Sequence, residues 1–260
     1  MKYGYLVVEG PHDLEFVGRL LKTHNLKRIF KLEELDSYWV PSPLIPRDYP
    51  PDGNDLRKRV PVPAFFQSSD ISIAVDSAIG DSQLVKTLKV TLTVTDVGED
   101  STGIGIIADA DYGKDAVQKR WNSLLKQLRG TLELPDKPGD VLKNQPNTGI
   151  FILPDNVSEG TLETILLKCA GTSYPGLYEG SENFINNVDI KALKSKDKQD
   201  FKKRSGKDKA VVGCIGNVLR PGKAIQVSIE DNRWVSKETM GITEISAMNQ
   251  FLEELFDLPR

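Results

Sequence analysis

Three short apolar runs, each stopped at an acidic residue beside glycine or proline, restrict this chain more than anything else in it. Residues 4–9 (GYLVVE) stop at Gly10–Pro11, residues 103–108 (GIGIIA) at Asp109-Ala110-Asp111-Tyr112-Gly113, and residues 149–153 (GIFIL) at Pro154-Asp155-Asn156. Runs of this length, closed by turn residues, read as buried strands. Ile71, Ile73 and Val75 alternate as a further strand. Helical spacing fills the gaps between them. Leu14, Val17, Leu20 and Leu21 follow Pro11, which suits a first helical turn, and a second helix is expected over 83–94. Val117, Trp121, Leu124, Leu125 and Leu128 mark a third helix, and Leu162, Ile165, Leu166 and Cys169 a fourth, with Ser158 or Thr161 as its N-cap. Such alternation specifies an α/β fold: a mostly parallel four-stranded sheet flanked by helices.

Two stretches depart from that pattern. Between about 31 and 69 the chain is dense in proline (VPSPLIPRDYPPDGND, then VPVPAFF). Proline removes backbone donors and disfavours helix before it, so this stretch reads as an irregular surface insertion. Beyond residue 170 a basic segment leads to a helix with Val211, Ile215, Val218 and Leu219 on one side, and a last amphipathic helix runs through Ile245, Met248, Phe251, Leu252 and Leu255. The expected organisation is a catalytic domain over 1–170, with 171–260 as a basic segment and helical extension packed on it.

Composition excludes several classes. Hydrophobic residues at 39% and charged residues at 27% describe a globular chain with a real core. No apolar run approaches the roughly 18 residues of a membrane span, and the N-terminus leads into a strand with no export signal. Cys169 and Cys214 offer neither a disulfide framework nor zinc spacing. A cytoplasmic protein without a membrane partner is the expectation. The net charge of −3 hides an asymmetry. Residues 191–209 hold nine Lys or Arg against three Asp, a balance of +6, which leaves −9 for the rest of the chain. This run is either a solvated loop or an arm that neutralises phosphates beside an acidic site, and its position relative to the carboxylates decides between them.

Carboxylates at the C-terminal ends of parallel strands lie where open α/β sheets place their sites. Glu9, the pair Asp109 and Asp111, and Asp155 occupy three such ends. Oxygen donors of this kind suit Mg2+ or Mn2+ rather than zinc. Gly10 and Gly113 follow closely and permit tight turns or a close backbone approach to phosphate. His12 reads as a first-turn surface residue, Asp13 as a favourable charge at a helix N-terminus, and Trp121 and Trp234 as packing residues. Tyr112 is placed to line the site.

VVEGPHD (7–13) followed by IIADADYG (106–113) resembles the TOPRIM signature of topoisomerases, bacterial primases, certain ribonucleases and OLD (overcoming-lysogenisation-defect) nucleases. The resemblance covers about residues 4–170, and FILPDNVSEGTLETILL (151–167) is closer to the OLD-like branch and to small TOPRIM-like bacterial proteins. It implies that Glu9, Asp109 and Asp111 hold divalent metal beside a nucleic-acid backbone. It further implies Glu163, with Asp155 next, as the extra acid of a two-metal site, and Lys207 or Lys209 as the catalytic lysine. The expected activity is Mg2+-dependent hydrolysis of DNA or RNA, in the setting of bacterial defence. No GxxxxGK[ST] loop is present, so an ATPase of the OLD kind would be a separate partner; self-association stays open. The alternative is a non-catalytic TOPRIM-like module that binds nucleic acid or protein. Phosphatase chemistry ranks last, because its DxD should end the first strand and not the third.

Overall fold

The computed structural model describes residues 1–47 and 62–259. Seven strands form one sheet: β1 (Lys2–Val8), β2 (Lys27–Ile29), β3 (Ala64–Gln67), β4 (Ile71–Ser77), β5 (Gly103–Asp109), β6 (Val141–Leu142) and β7 (Asn147–Leu153). Their order is β2-β3-β4-β1-β5-β7-β6. The four anticipated strands are its parallel centre, β4-β1-β5-β7. The sheet as a whole is mixed, because β2 and β3 join antiparallel beside β4, and β6 antiparallel beside β7. These three outer strands are short, or lie in the proline-rich stretch, so none carries a periodic signal of its own.

Ten α-helices are described: α1 (Pro11–Thr23), α2 (Leu84–Val94), α3 (Val97–Asp100), α4 (Ala116–Leu128), α5 (Leu162–Ser173), α6 (Pro175–Asn186), α7 (Ser195–Phe201), α8 (Gly206–Leu219), α9 (Ile225–Asp231) and α10 (Thr243–Phe256). Among the described residues no helix is long and apolar enough to cross a membrane. Successive side chains of a strand point to opposite faces, and two cores result. Leu6 and Val8 face a core shared with α1, α5, α8, α9 and α10. Tyr5 and Val7 face one built with α2 and α4. Thr161, not Ser158, caps α5. In α8, Val211 and Ile215 are buried, but Val218 is exposed, so that end of the predicted apolar side faces solvent.

The proline-rich stretch is not a surface decoration throughout. Trp39 is fully buried; its indole nitrogen donates to Ser72 Oγ (2.9 Å), and Tyr3, Tyr38 and Phe65 pack around it. Leu35 and Leu44 join the same core, and Ala64–Gln67 is strand β3. Aromatic burial offsets the irregular backbone here. The part of the stretch at 48–61 lies outside the described residues.

The region after residue 170 completes the main core. Helix α10 lies directly on β5 and β7, where three glycines, with Gly4 on neighbouring β1, leave the sheet without side chains. A Cβ on Gly103 would stand 2.2 Å from the Leu255 carbonyl oxygen, one on Gly105 2.6 Å from Leu255 Cδ2, and one on Gly149 2.8 Å from the Phe251 ring. Gly4 meets Phe256 in the same way. On the opposite flank Arg19 donates to the Glu230 and Val235 carbonyls, while Arg28 pairs with both Glu15 and Glu230 and so ties α1 to α9. Gly103→Ala is therefore expected to cost about 2–3 kcal/mol in urea unfolding, by overpacking against backbone. Gly171→Ala, in α5 with nothing within 4 Å of the added carbon, should instead stabilise by about 0.5–1 kcal/mol through helix propensity.

Under the opposite face, Tyr5 donates its hydroxyl to Asp76 (2.9 Å) and shares a hydrogen bond with Thr91 (2.8 Å). Burial lifts the Asp76 carboxyl from its ordinary 3.8 to about 6, against the opposing hydrogen bonds from Tyr5 and the Ser77 amide. The folded chain thus holds a proton there that the unfolded chain releases. This group's contribution to stability is fully favourable below about pH 4, declines as pH rises to about 6, and is level above that. Asp76→Asn keeps an acceptor for Tyr5. It should flatten that slope and raise stability at pH 7 by about 2 kcal/mol in denaturant titrations across pH 4–8.

Candidate functional site

The parallel ladder carries the acidic residues to one end of the sheet. Val8 pairs with Ile107, and Asp109 with Leu153, so the chain leaves β1, β5 and β7 side by side. Glu9 stands one residue beyond β1 and Asp109 closes β5. Glu9 Oε1 accepts the Asp109 backbone N–H at 2.9 Å, and Asp109 Oδ1 accepts the Leu162 N–H at 3.0 Å. Asp109 therefore sits at the N-terminus of α5, whose free amides favour negative charge. One residue further along, Glu163 is buried and accepts from the Thr161 hydroxyl (2.7 Å). Asp13, in the first turn of α1, is buried and accepts the Gly10 N–H at 2.9 Å.

These four carboxylates lie within each other's electrostatic reach. Burial, then the charges of Asp13, Glu9 and Glu163, hold Asp109 well above the usual carboxylate range, against the Leu162 amide. Burial, then Glu9 and Glu163, raise Asp13. Burial also raises Glu9, with Asp81 and Asp111 adding to it, although Arg120 and the Asp109 amide pull the other way. Among the described residues no Lys, Arg or His forms an ion pair with Asp13, Asp109 or Glu163. Buried, converging anions without a countercharge are costly, and a bound cation relieves that cost. The donor set consists of hard oxygens and fits Mg2+ or Mn2+. As the side chains stand, no three His, Cys, Asp or Glu among the described residues are set to hold an ion. Each is turned onto a protein donor instead: Glu9 to Arg120, Asp13 to Gly10, and Glu163 to Thr161.

The other anticipated site residues are dispersed around this group. Asp111 is exposed in a left-handed conformation (φ 60°), and its carbonyl accepts the Gly160 N–H. Its charge reaches Glu9. Gly113, at φ 142°, closes the loop in a geometry that glycine alone adopts readily. Asp155 is a turn residue. Its carboxylate accepts the Val157 and Ser158 amides and the Ser158 hydroxyl; burial alone would raise it, but these bonds hold it below its ordinary range. It takes no part in the carboxylate group. Lys207 is exposed and donates to Asn186 on α6 (3.2 Å). Lys209 is the lysine on the site's side: together with burial its charge holds the His12 imidazole below its ordinary value, opposed by Glu163. His12 is half-buried rather than a free surface residue, and Trp234 is fully buried with its indole donating to Ser228.

Two further features join the site. Arg120 of α4 pairs with both Glu9 and Asp81, and its Nε is buried without a partner. Nothing in the polar face of α4 singles Arg120 out in the sequence. The basic run, in turn, packs on the DxD loop. Tyr112 donates to Asp208 (2.8 Å), Arg204 lies over the Tyr112 ring (5.1 Å) and pairs with Glu159, and Glu159 accepts the Gly113 N–H (2.7 Å). The end of the +6 segment is thus packed on the loop that carries Asp111.

No curated protein matches the chain. Among solved structures it is similar to the hypothetical protein PH0156 from Pyrococcus horikoshii OT3, at 17% identity and a TM-score of 0.53, over 98% of this chain and 95% of that one. At such identity the likeness concerns the fold. The match to a family spans nearly the whole sequence, residues 3–257, and the chain belongs to that family, described as "Protein of unknown function (DUF3226)".

Proposed function

We propose that this protein is a Mg2+- or Mn2+-dependent phosphodiesterase acting on nucleic acid, with Glu9, Asp109, Asp111 and Glu163 as the carboxylates of a TOPRIM-like site. One observation carries the reading: Glu9, Asp13, Asp109 and Glu163 converge, largely buried, with only Glu9 paired to a cation among the described residues. When bound, the metal would supply charge neutralisation and an activated water for in-line displacement at phosphorus. The chain's own residues do the positioning. The α5 N-terminus fixes Asp109 through the Leu162 amide, and the Asp109 amide fixes Glu9. Asp13 closes the turn after β1. Lys209 acts on His12, next to Asp13, and Arg204 lies over Tyr112, next to Asp111, so positive charge borders the group where phosphate oxygens would need it. An ATPase partner and a defence setting rest on the OLD resemblance alone.

A second reading, a nucleic-acid-binding module without catalysis, is favoured by the pairing of Glu9 with Arg120, which already gives that carboxylate a cation.

The test is cleavage of supercoiled plasmid, single-stranded DNA, tRNA and rRNA with Mg2+, Mn2+ or EDTA, using wild type, Glu9→Ala and Asp109→Ala. Cleavage confined to the metal arms and reduced at least about 100-fold in both variants is the expected result. Cleavage that persists in EDTA or in both variants would sink the proposal. A companion measurement needs no substrate. Saturating Mn2+ should raise the wild-type melting temperature by about 5 °C, from RT ln(1 + [L]/Kd) of about 2–3 kcal/mol. Metal-free Asp109→Asn should melt above wild type, since repulsion is relieved, and should lose that shift.

A further inference from the structure

Glu9 meets both of its side-chain donors with one oxygen. Oε1 accepts the Asp109 backbone N–H at 2.9 Å and also Nη2 of Arg120, while Oε2 takes no partner among the described residues and is not closed off from solvent. The same guanidinium turns Nη1 to Asp81, and its Nε is buried without an acceptor. One guanidinium therefore spans two carboxylates. Both ends of this bridge stand on fixed backbone. Arg120 belongs to α4, whose Trp121 and Leu124 are buried in the core that this helix shares with α2 and the sheet. Asp81 follows the loop after β4, in which the Ala78 N–H donates to the Val8 carbonyl and the Gly80 N–H to the Glu9 carbonyl, both at 2.9 Å. That loop thus holds Glu9 twice, once by its backbone and once through Arg120. Asp81 also offsets the charge of the guanidinium, so Arg120 can hold Glu9 with less repulsion toward a second cation.

We propose that Arg120, anchored by Asp81, is a positioning residue for Glu9: it holds Oε1 and so leaves Oε2 as the oxygen offered to a metal ion. The inference rests on the metal-dependent reading of the site. Metal-ligating carboxylates are in turn hydrogen-bonded by groups that fix their orientation, and losing such a group weakens metal binding about 10–100-fold. The competing role for Arg120 is that of a countercharge that makes Glu9 unavailable. The two roles differ in sign. A countercharge repels an incoming cation, so its removal tightens metal binding. A positioning residue orders the ligand, so its removal weakens binding. The roles also differ in the side chain they need. The planar fork of Arg reaches Glu9 and Asp81 at once, whereas a lysine ammonium keeps the charge without the fork.

The experiment is titration of the metal-free full chain with Mn2+, followed by the electron paramagnetic resonance signal of the free ion, which reports affinity without any substrate. Arg120→Met keeps the apolar stem and removes charge and donors; it should weaken binding at least about tenfold. Arg120→Lys should recover little of that loss. Asp81→Asn, at an exposed position, should weaken binding at least about threefold. It should have no further effect in the Arg120→Met background, since it acts through the guanidinium. Wild-type or tighter affinity in Arg120→Met, full recovery by Arg120→Lys, or an Asp81→Asn loss that persists in the Arg120→Met background would each overturn the positioning role. Should Arg120→Met fail to fold, wild-type affinity in Asp81→Asn overturns it alone. Asp109→Asn separates the two readings. Mn2+ binding that depends on both Asp109 and Arg120, without cleavage by wild type, would retain the positioning role and reject hydrolysis. Cleavage lost in Asp109→Asn, with Arg120→Met binding Mn2+ as wild type does, would do the reverse. Absence of Mn2+ binding to wild type would overturn both.

Discussion

Parallel pairing is the constraint from which the rest follows. Because β4, β1, β5 and β7 run the same way, their C-terminal ends share one edge, and whatever residue ends each strand is brought beside its neighbours. Ladder hydrogen bonds fix the register to the residue, so the positions of Glu9 and Asp109 are set by backbone pairing before any side chain is considered. The price is electrostatic: like charges are concentrated in a place with little water. Helix N-termini partly offset it, with α5 presenting an amide to Asp109, while Asp13 draws on the Gly10 amide at the start of α1. What remains is a cluster of carboxyls held above their ordinary range by burial and by one another.

Against that pocket the molecule sets its positive charge asymmetrically. Arg120 satisfies Glu9 and Asp81 from the α4 side, whereas Arg204 and Lys209 approach from the C-terminal helices. The DxD loop lies between them. Its Tyr112 is gripped by Asp208 and Arg204, and its Gly113 amide by Glu159. The basic segment and the loop are therefore joined through two direct contacts and a relay in which Arg204 pairs with Glu159.

Much of this was legible from residue order, and the failures are instructive. The four parallel strands and the helices after them were visible because buried strands and amphipathic helices impose simple periods. The approach of Glu9 to Asp109 followed from their positions at strand ends, whereas Glu163 was pointed to only by the OLD-like resemblance. The antiparallel strands were hidden: β2 and β6 are three and two residues long, and β3 lies within a proline-rich stretch. Burial of Trp39 depends on Tyr3, Ser72 and Phe65, none of them near it in sequence. Asp155 looked like a ligand because it ends a strand, but a carboxylate two and three residues before free amides satisfies them locally. Lys207 and Lys209 differ by two positions on a helix and hence by about 200° around it, a distinction that no count of charges in a segment can make.

The bare glycine face under α10 has a consequence for how the molecule is built. β5, the strand that carries Asp109, pairs with β1 across about a hundred positions and packs under Leu255 across about a hundred and fifty more. With no side chains at Gly103, Gly105 and Gly149 on that face, the first halves of these strands have little of their own to collapse around until the helix arrives, while Ile107, Phe151 and Leu153 supply apolar surface further along. Local contacts can form the individual helices early, but the central layer closes only through encounters between distant parts of the chain, the kind that lengthen folding times most. The site's geometry is consequently a late property of the folding chain: a partly folded molecule has its acidic motifs, but not yet the rigid edge that aligns them.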